Sequence, residues 1–294
     1  MKPERRRTSP LVEASLLLTA FFFGTNFTAV KLVVENVPPI LFAASRFTLA
    51  GLLLLPLALL SGPENRLARE DFLPMLGLGL VGVTLTQTVF TVGVGLTTAA
   101  NTALVYSTSP VWGMLLVFAL GWERPRLSGV LGVGLCLLGV GAIVYGSLDF
   151  AGTSRLGDAL ILGAAIFWGS YTVLTLSVLR RYSPVAVAAY AMTFGGLAAF
   201  PLAALDPSPL NLAALDGLTW GAAAYSALFS SAFGFAAWGW GVSRVGANRV
   251  LVYQYMVTLT GAGTGILLLG ETFGAGQLVG AAVILAGIYL ARSK

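Results

Sequence analysis

The segment FFFGTNF, residues 21–27, interrupts an apolar run that extends from Leu11 to Val34. Gly24 weakens a helix, and the Asn26 amide is costly to bury unpaired. A second segment, FWGSY at 167–171, repeats the order of two aromatics, a glycine, a small hydroxyl residue and a polar residue. Gly24 and Gly169 lie 145 residues apart, and the same displacement relates Gly51 to Gly196 and Pro56 to Pro201. Further on, ANTALVY at 100–106 echoes ANRVLVY at 247–253, and LGWE at 120–123 echoes LGET at 269–272. Ser128 and Gly132 then match Gly276 and Gly280. The chain reads as one unit written twice.

Composition says what the unit is made of. Of 294 residues, 57% are hydrophobic and 10% charged. A soluble domain carries about 25% charged residues. Mean hydropathy is +0.86. The apolar runs are long and continuous rather than alternating, so they predict membrane helices and not the strands of a barrel. Cys136 is the one cysteine and there is no histidine. That removes a disulfide framework, histidine-based triads, histidine zinc sites and histidine proton relays. No cofactor or metal is expected. The basic start followed by an apolar stretch mimics a signal peptide. No small-residue cleavage site follows, so it reads as a retained first helix.

Runs long enough to span a bilayer, about 20 residues each, fall at 11–34, 40–60, 72–95, 98–120, 127–146, 157–178, 184–204, 219–241, 248–270 and 275–292. These predict an all-α polytopic fold of ten spans. The expected divisions are a cytoplasmic tail at 1–10, a first five-helix repeat at 11–146, an external linker at 147–156 and a second repeat at 157–294. With the N-terminus inside, the inner segments collect Lys2, Arg5, Arg6, Arg7, Arg66, Arg69, Arg124, Arg126, Arg180, Arg181, Arg244, Arg249, Arg292 and Lys294. The positive-inside rule therefore predicts cytoplasmic termini. It also accounts for the net charge of +5 without a nucleic-acid partner. Five is odd, so the second unit starts on the opposite side and runs inverted. Inverted repeats favour alternating access around a midplane site.

The FFFGTNF and FWGSY helices, RFTLAGLLLLP in the second span, and the GWERP and GETFGAG loops, in this order over nearly the whole chain, resemble EamA-type members of the drug/metabolite transporter superfamily. The resemblance implies a bacterial inner-membrane exporter of small metabolites, often amino acids or related compounds. Its members differ widely in substrate.

Polar residues cluster at span centres. Helix 1 offers Phe23, Thr25 and Asn26; helix 3 offers Thr84, Gln87 and Thr88; helix 4 offers Tyr106 and Ser109. Helix 6 offers Trp168 and Tyr171; helix 8 offers Ser230 and Phe233; helix 9 offers Tyr253 and Gln254. Such residues suit a cavity in which hydroxyls and amides bind a polar group and aromatic faces cover an apolar body. The competing reading is that the hydroxyls bond their own helix or a neighbouring one. Arg46 also has two readings. It lies roughly 10 Å into helix 2, at about 1.5 Å per residue. There it either holds a carboxylate, or it snorkels outward or pairs with Glu35.

Gly24, Pro110, Gly169, Gly261 and Gly263 are the expected flexible points, with Pro110 kinking helix 4. Ser128, Gly132, Gly276 and Gly280 permit close helix packing. A scaffold contact is expected there, with a homodimer face as the alternative to a monomer. No acid lies deep in a span, which favours facilitated export over proton coupling. Larger cargo such as nucleotide-sugars, drugs or lipids is the alternative, although phosphate would ask for more cations than Arg46. An intramembrane enzyme lacks any catalytic centre here.

Overall fold

The computed structural model describes residues 9–122, 127–146, 154–272 and 274–292. The charges read at Lys2, Arg5, Arg6, Arg7, Arg124, Arg126 and Lys294 lie outside the described residues, as do 147–153 of the expected linker. No strand occurs among the described residues.

Seven helices are long and apolar enough to cross a membrane. They are α1 (Pro10–Val34), α2 (Pro39–Leu60), α3 (Arg69–Leu96), α4 (Ala99–Ala119), α6 (Arg155–Val178), α7 (Pro184–Ala203) and α9 (Leu251–Leu269). Shorter apolar stretches, Leu127–Ile143 and Ala275–Gly287, lie in α5 (Leu127–Gly146) and α10 (Ala275–Arg292). Residues 217–245, α8, are helical throughout.

Local sequence sets the helix ends. Pro10, Pro39 and Pro184 occupy first turns, where a missing N–H costs nothing. Ser183 and Asp216 cap α7 and α8 through the backbone N–H groups of Ala186 and Thr219. Gly246, at φ +82°, makes the sharp exit from α8 that a side chain would resist.

The helix contacts come in pairs that exchange the chain halves. Gly24 of α1 faces α9, where an added Cβ would meet the Val257 carbonyl at 2.6 Å. Gly169 of α6 faces α4, where an added Cβ would meet the Gly113 nitrogen at 2.7 Å. Gly51 of α2 and Gly196 of α7 each pack on the other helix, against Thr193 and Thr48. In α5 and α10, Gly139 and Gly280 pack against Ile284 and Ile143, and Gly287 lies on Gly132 and Cys136. Without side chains in the way, backbones approach closely enough for dispersion to hold the pair in lipid. Gly24 and Gly169 are thus packing points.

Helical irregularities are paired too. Both α3 and α8 contain a π-helical stretch, at Leu80–Leu85 and Ser226–Phe233. The α4 helix breaks at Ser107 and Thr108 and resumes with Pro110 in its first turn. Pro110 has no N–H for the Tyr106 carbonyl, and the Ser109 hydroxyl donates to it instead at 2.6 Å. Pro110 thus lies just after a break in α4. In α9 the irregular turn is earlier, at Leu251–Tyr253, and the helix runs unbroken past Gly261 and Gly263. Gly261 receives the Phe27 ring against its backbone, whereas an added Cβ at Gly263 would meet nothing.

One end of the bundle, which carries Arg66, Arg69 and Arg181, is tightly tied. Arg181 Nη1 reaches Asp71 Oδ1 at 2.8 Å and Glu70 Oε1 at 3.1 Å. The Tyr182 hydroxyl donates to Asp71 at 2.8 Å, the Ser183 N–H to Asn65 Oδ1 at 3.0 Å, and the Tyr190 hydroxyl to the Asn65 carbonyl at 3.0 Å. At the opposite end the matching loops share two bonds. The Asn211 N–H donates to the Asn36 carbonyl at 2.9 Å, and the Ile40 N–H to Asp206 Oδ2 at 3.1 Å.

Candidate functional site

A cavity of about 30 Å³ lies where α1, α2, α3, α4, α6, α8 and α9 converge. A space of that size holds about two waters, so it is closed to a metabolite in this conformation. Helices α5 and α10 contribute nothing to its wall.

Arg46 organises it. The residue is 3% exposed and neither snorkels nor pairs with Glu35, which is exposed. Its Nη1 donates to Ser226 Oγ at 2.5 Å and its Nη2 to Gln87 Oε1 at 3.0 Å. Ser226 in turn donates to Asn26 Oδ1 at 2.5 Å. Four residues from four helices thus form one chain of bonds. The guanidinium also lies over the rings of Phe47, at 4.5 Å, and Phe42, at 5.2 Å. Both are favourable placements for a desolvated cation. Among the described residues no carboxylate pairs with it. Arg46 Nε and Trp168 Nε1, both in wall residues, are buried donors without partners. Buried cations are usually neutralised, whereas this one meets only neutral acceptors among the described residues.

Aromatic rings enclose the centre. Phe23, Trp168 and Phe235 pack edge to face, with Phe23 to Trp168 at 5.6 Å and Trp168 to Phe235 at 5.1 Å. On the other side Phe27, Phe90 and Tyr106 contact one another, with Phe90 to Tyr106 at 5.5 Å.

The structure brings Phe23, Asn26, Arg46, Gln87, Tyr106, Trp168 and Ser230 to this wall. Other candidates sit elsewhere. Thr25 bonds the Phe21 carbonyl and the Tyr225 hydroxyl. Thr84 donates to the Gly195 carbonyl of α7 at 2.7 Å, and Ser109 serves the α4 break. For these three the helix-bonding reading describes what the hydroxyl does. Tyr171 stacks behind Trp168 at 5.4 Å, and Gly82 lies against its ring. Thr88, Tyr253 and Gln254 are not in the wall, and the buried Gln254 amide has no partner.

Phe233 is 37% exposed and packs on Phe22, so the wall position on α8 belongs to Phe235. The π-helical turn is the reason. Its bonds run five residues back, which widens the turn and delays the return to one face. A regular helix would bring Phe233 beneath Ser230. The wall residues not anticipated are Phe27, Phe47, Phe90, Phe235 and Val257, together with the bridging Ser226. Helical spacing offered a signal for two of them. Phe27 shares a face with Phe23, and Phe90 with Gln87.

A second buried polar group lies near the end opposite the basic one. Asp158, in the first turn of α6, is 1% exposed. It accepts from Thr97 Oγ1 at 2.7 Å and from Asn101 Nδ2 at 3.3 Å. Gln277 of α10 donates to Asn101 Oδ1 at 2.5 Å. Glu271 accepts from the Ala99 and Ala100 N–H groups, each at 2.8 Å, and so caps the start of α4.

A multi-pass bundle of apolar helices converging on a closed polar centre defines a membrane transporter. The chain belongs to the EamA-like transporter family, whose sequence model matches residues 11–145 and again 155–293. It is similar to an uncharacterised transporter of Archaeoglobus fulgidus, 26% identical, with 95% of this chain and 98% of that one covered. It is also similar to a protein of Streptantibioticus cattleyicolor named a probable terminal-alkyne amino-acid exporter, 28% identical over 95% of this chain and 93% of the other. A probable amino-acid metabolite efflux pump of Salmonella typhimurium is 25% identical over 93% and 92%. A solved crystal structure shares the fold, with a TM-score of 0.67 at 20% identity over 97% of this chain and 98% of that one.

Proposed function

We propose that the protein exports amino acids or related small metabolites across the bacterial inner membrane by alternating access. The carrier is read as ten spans in two inverted five-helix repeats, with 1–10 as the tail and 147–156 as the linker, and with both termini in the cytoplasm. The exchange-paired glycine contacts and the paired π-helical stretches support that arrangement. The basic end is read as the cytoplasmic face, and its network keeps it closed in this conformation. The cavity is too small for cargo until the helices part.

The observation that carries the substrate reading is Arg46, a buried cation bonded to neutral acceptors and facing orphan donors. A carboxylate from the cargo would neutralise it, with Asn26, Gln87 and Ser230 near the polar end and the aromatic rings over the side chain. One cation matches one carboxylate. It does not match the two or more charges of a nucleotide-sugar. The relatives named as amino-acid exporters agree with this reading.

The carrier is read as facilitative. Proton-coupled export is a second reading, and the buried Asp158 carboxylate is the observation that favours it. The test is flux of a labelled amino-acid panel in proteoliposomes with and without a pH gradient. Downhill flux without the gradient is expected. Flux that requires the gradient would replace the facilitative reading with the second, and no flux of any member would overturn the amino-acid assignment.

A further inference from the structure

The two ends of the bundle are not closed alike. On the basic side α3 packs onto α7, with an added Cβ at Gly79 meeting the Ala191 carbonyl at 2.7 Å. The matching place on the other side is between α8 and α2. There the helices leave a pocket of about 400 Å³ instead. Phe42, Ser45 and Leu49 of α2 face Trp220, Ala223 and Ala227 of α8 across it. Ser45, Leu49 and Trp220 are exposed on the flank of the bundle, where an apolar surface meets acyl chains. Arg46 is in the wall of this pocket and also in the wall of the central cavity. Its guanidinium lies between Phe47 of the inner space and Phe42 of the outer one.

We propose that this pocket is a second binding site, which takes the apolar body of an amphiphilic monocarboxylate while Arg46 holds its head. The cargo then leaves sideways between α2 and α8 toward the outer leaflet. The proposal rests on the carboxylate reading of Arg46. Its support is charge complementarity: a buried guanidinium with no carboxylate partner among the described residues and an unpartnered Nε. That cation is in the wall of a space whose other lining residues are apolar apart from Ser45 and Thr219. An alkyl chain released there exchanges protein for lipid without crossing water, so a lateral exit avoids the cost of hydrating each methylene. A wholly aqueous exit would give apolar cargo no such route.

The probe is 11-(dansylamino)undecanoic acid, whose fluorescence rises on leaving water. It is titrated into the full-length protein in nanodiscs, with empty nanodiscs as blank and its methyl ester as the neutral counterpart. Wild type is expected to bind the acid at least tenfold more tightly than the ester. Ala223→Trp, which fills the pocket, and Arg46→Gln should each weaken the acid at least tenfold. Trp220→Ala opens the pocket instead of filling it. It should change the emission maximum of the bound probe even if Ala223→Trp does not fold. Loss in Arg46→Gln with neither pocket variant affecting the probe would overturn the lateral site and leave the carboxylate reading standing. Equal binding of acid and ester, or binding unchanged in Arg46→Gln, would overturn both. Absence of saturable binding to wild type would overturn the site.

Discussion

At the residue scale the account turns on Arg46. A buried charge retained for packing behaves differently from one retained for a ligand. A buried charge without a counter-charge carries a desolvation cost that a neutral residue does not. Arg46→Gln is therefore expected to keep or raise the thermal unfolding temperature while transport of carboxylate cargo falls at least tenfold. Calorimetry and flux on the same preparation check both halves, and a lowered unfolding temperature would make Arg46 structural. Ser226→Ala removes the bridge between Arg46 and Asn26. A lost bond of this kind costs about 1.5–3 kcal/mol when one partner is charged, so the apparent KM should rise roughly ten- to a hundredfold.

The depth of Arg46 was legible from its distance to Pro39, but its direction was not. Direction depends on which side of α2 meets Gln87 and Ser226, and that is set by packing between distant segments. Asn26 and Trp168 were legible because an amide and an indole at mid-span have few local ways to be satisfied. The hydroxyls were not, since the same Thr serves a helix, a neighbour or a ligand, as Thr84 and Thr25 show.

At the element scale the glycines divide into those that touch a backbone and those that do not. Gly24→Ala and Gly169→Ala each press a methyl into a neighbouring backbone that cannot rotate away. Both are expected to lower the unfolding temperature, by overpacking of about 1–3 kcal/mol. Gly263 has open space beside it. Gly263→Ala should be neutral or stabilising by up to about 1 kcal/mol, because alanine is the better helix former. Thermal unfolding of the three variants in one detergent checks the contrast, and a Gly24→Ala protein as stable as wild type would contradict it.

The start of α8 offers a pH test. Asp216 accepts from both the N–H and the hydroxyl of Thr219, each at 2.8 Å, and these bonds hold its carboxyl below the usual range. With the folded value depressed, the cap is fully present above the unfolded value of about 3.9. It is lost as pH falls through the folded value. Asp216→Asn should remove that acid dependence of hydrogen exchange in the first turn of α8. The repeat made the equivalent positions readable, Gly51 with Gly196 and Gly132 with Gly280, but not the contacts of α5 with α10, where Gly280 lies on Ile143 and Gly132 under Gly287. The π-helical stretches were not readable. The one in α8 goes with Phe235 rather than Phe233 at the wall.

At the scale of the whole molecule, bonds run between helices at both ends, which under the proposed alternating access makes this an occluded state. The basic end is held by Asp71, Arg181, Tyr182, Asn65 and Tyr190, and the far end by Asn211 on Asn36, Ile40 on Asp206, Lys31 on Thr97 and the bonds of Asp158 and Glu271. Loosening the network with Asp71→Asn and Tyr182→Phe together should populate the inward-open state. Ala186, buried beneath the network, then becomes the reporter. In inside-out vesicles a cysteine placed there is expected to label several-fold faster in the loosened protein, and an unchanged rate would argue against closure at this end.

The most direct measurement of the central claim is competition for flux through reconstituted protein. A labelled amino acid is followed into proteoliposomes against its unlabelled self and against the matching amine that lacks the carboxylate, for wild type and Arg46→Gln. Wild type should be inhibited by the acid and not by the amine, and Arg46→Gln should carry the labelled acid no faster than protein-free liposomes. Equal inhibition by acid and amine, or undiminished flux in Arg46→Gln, would contradict it.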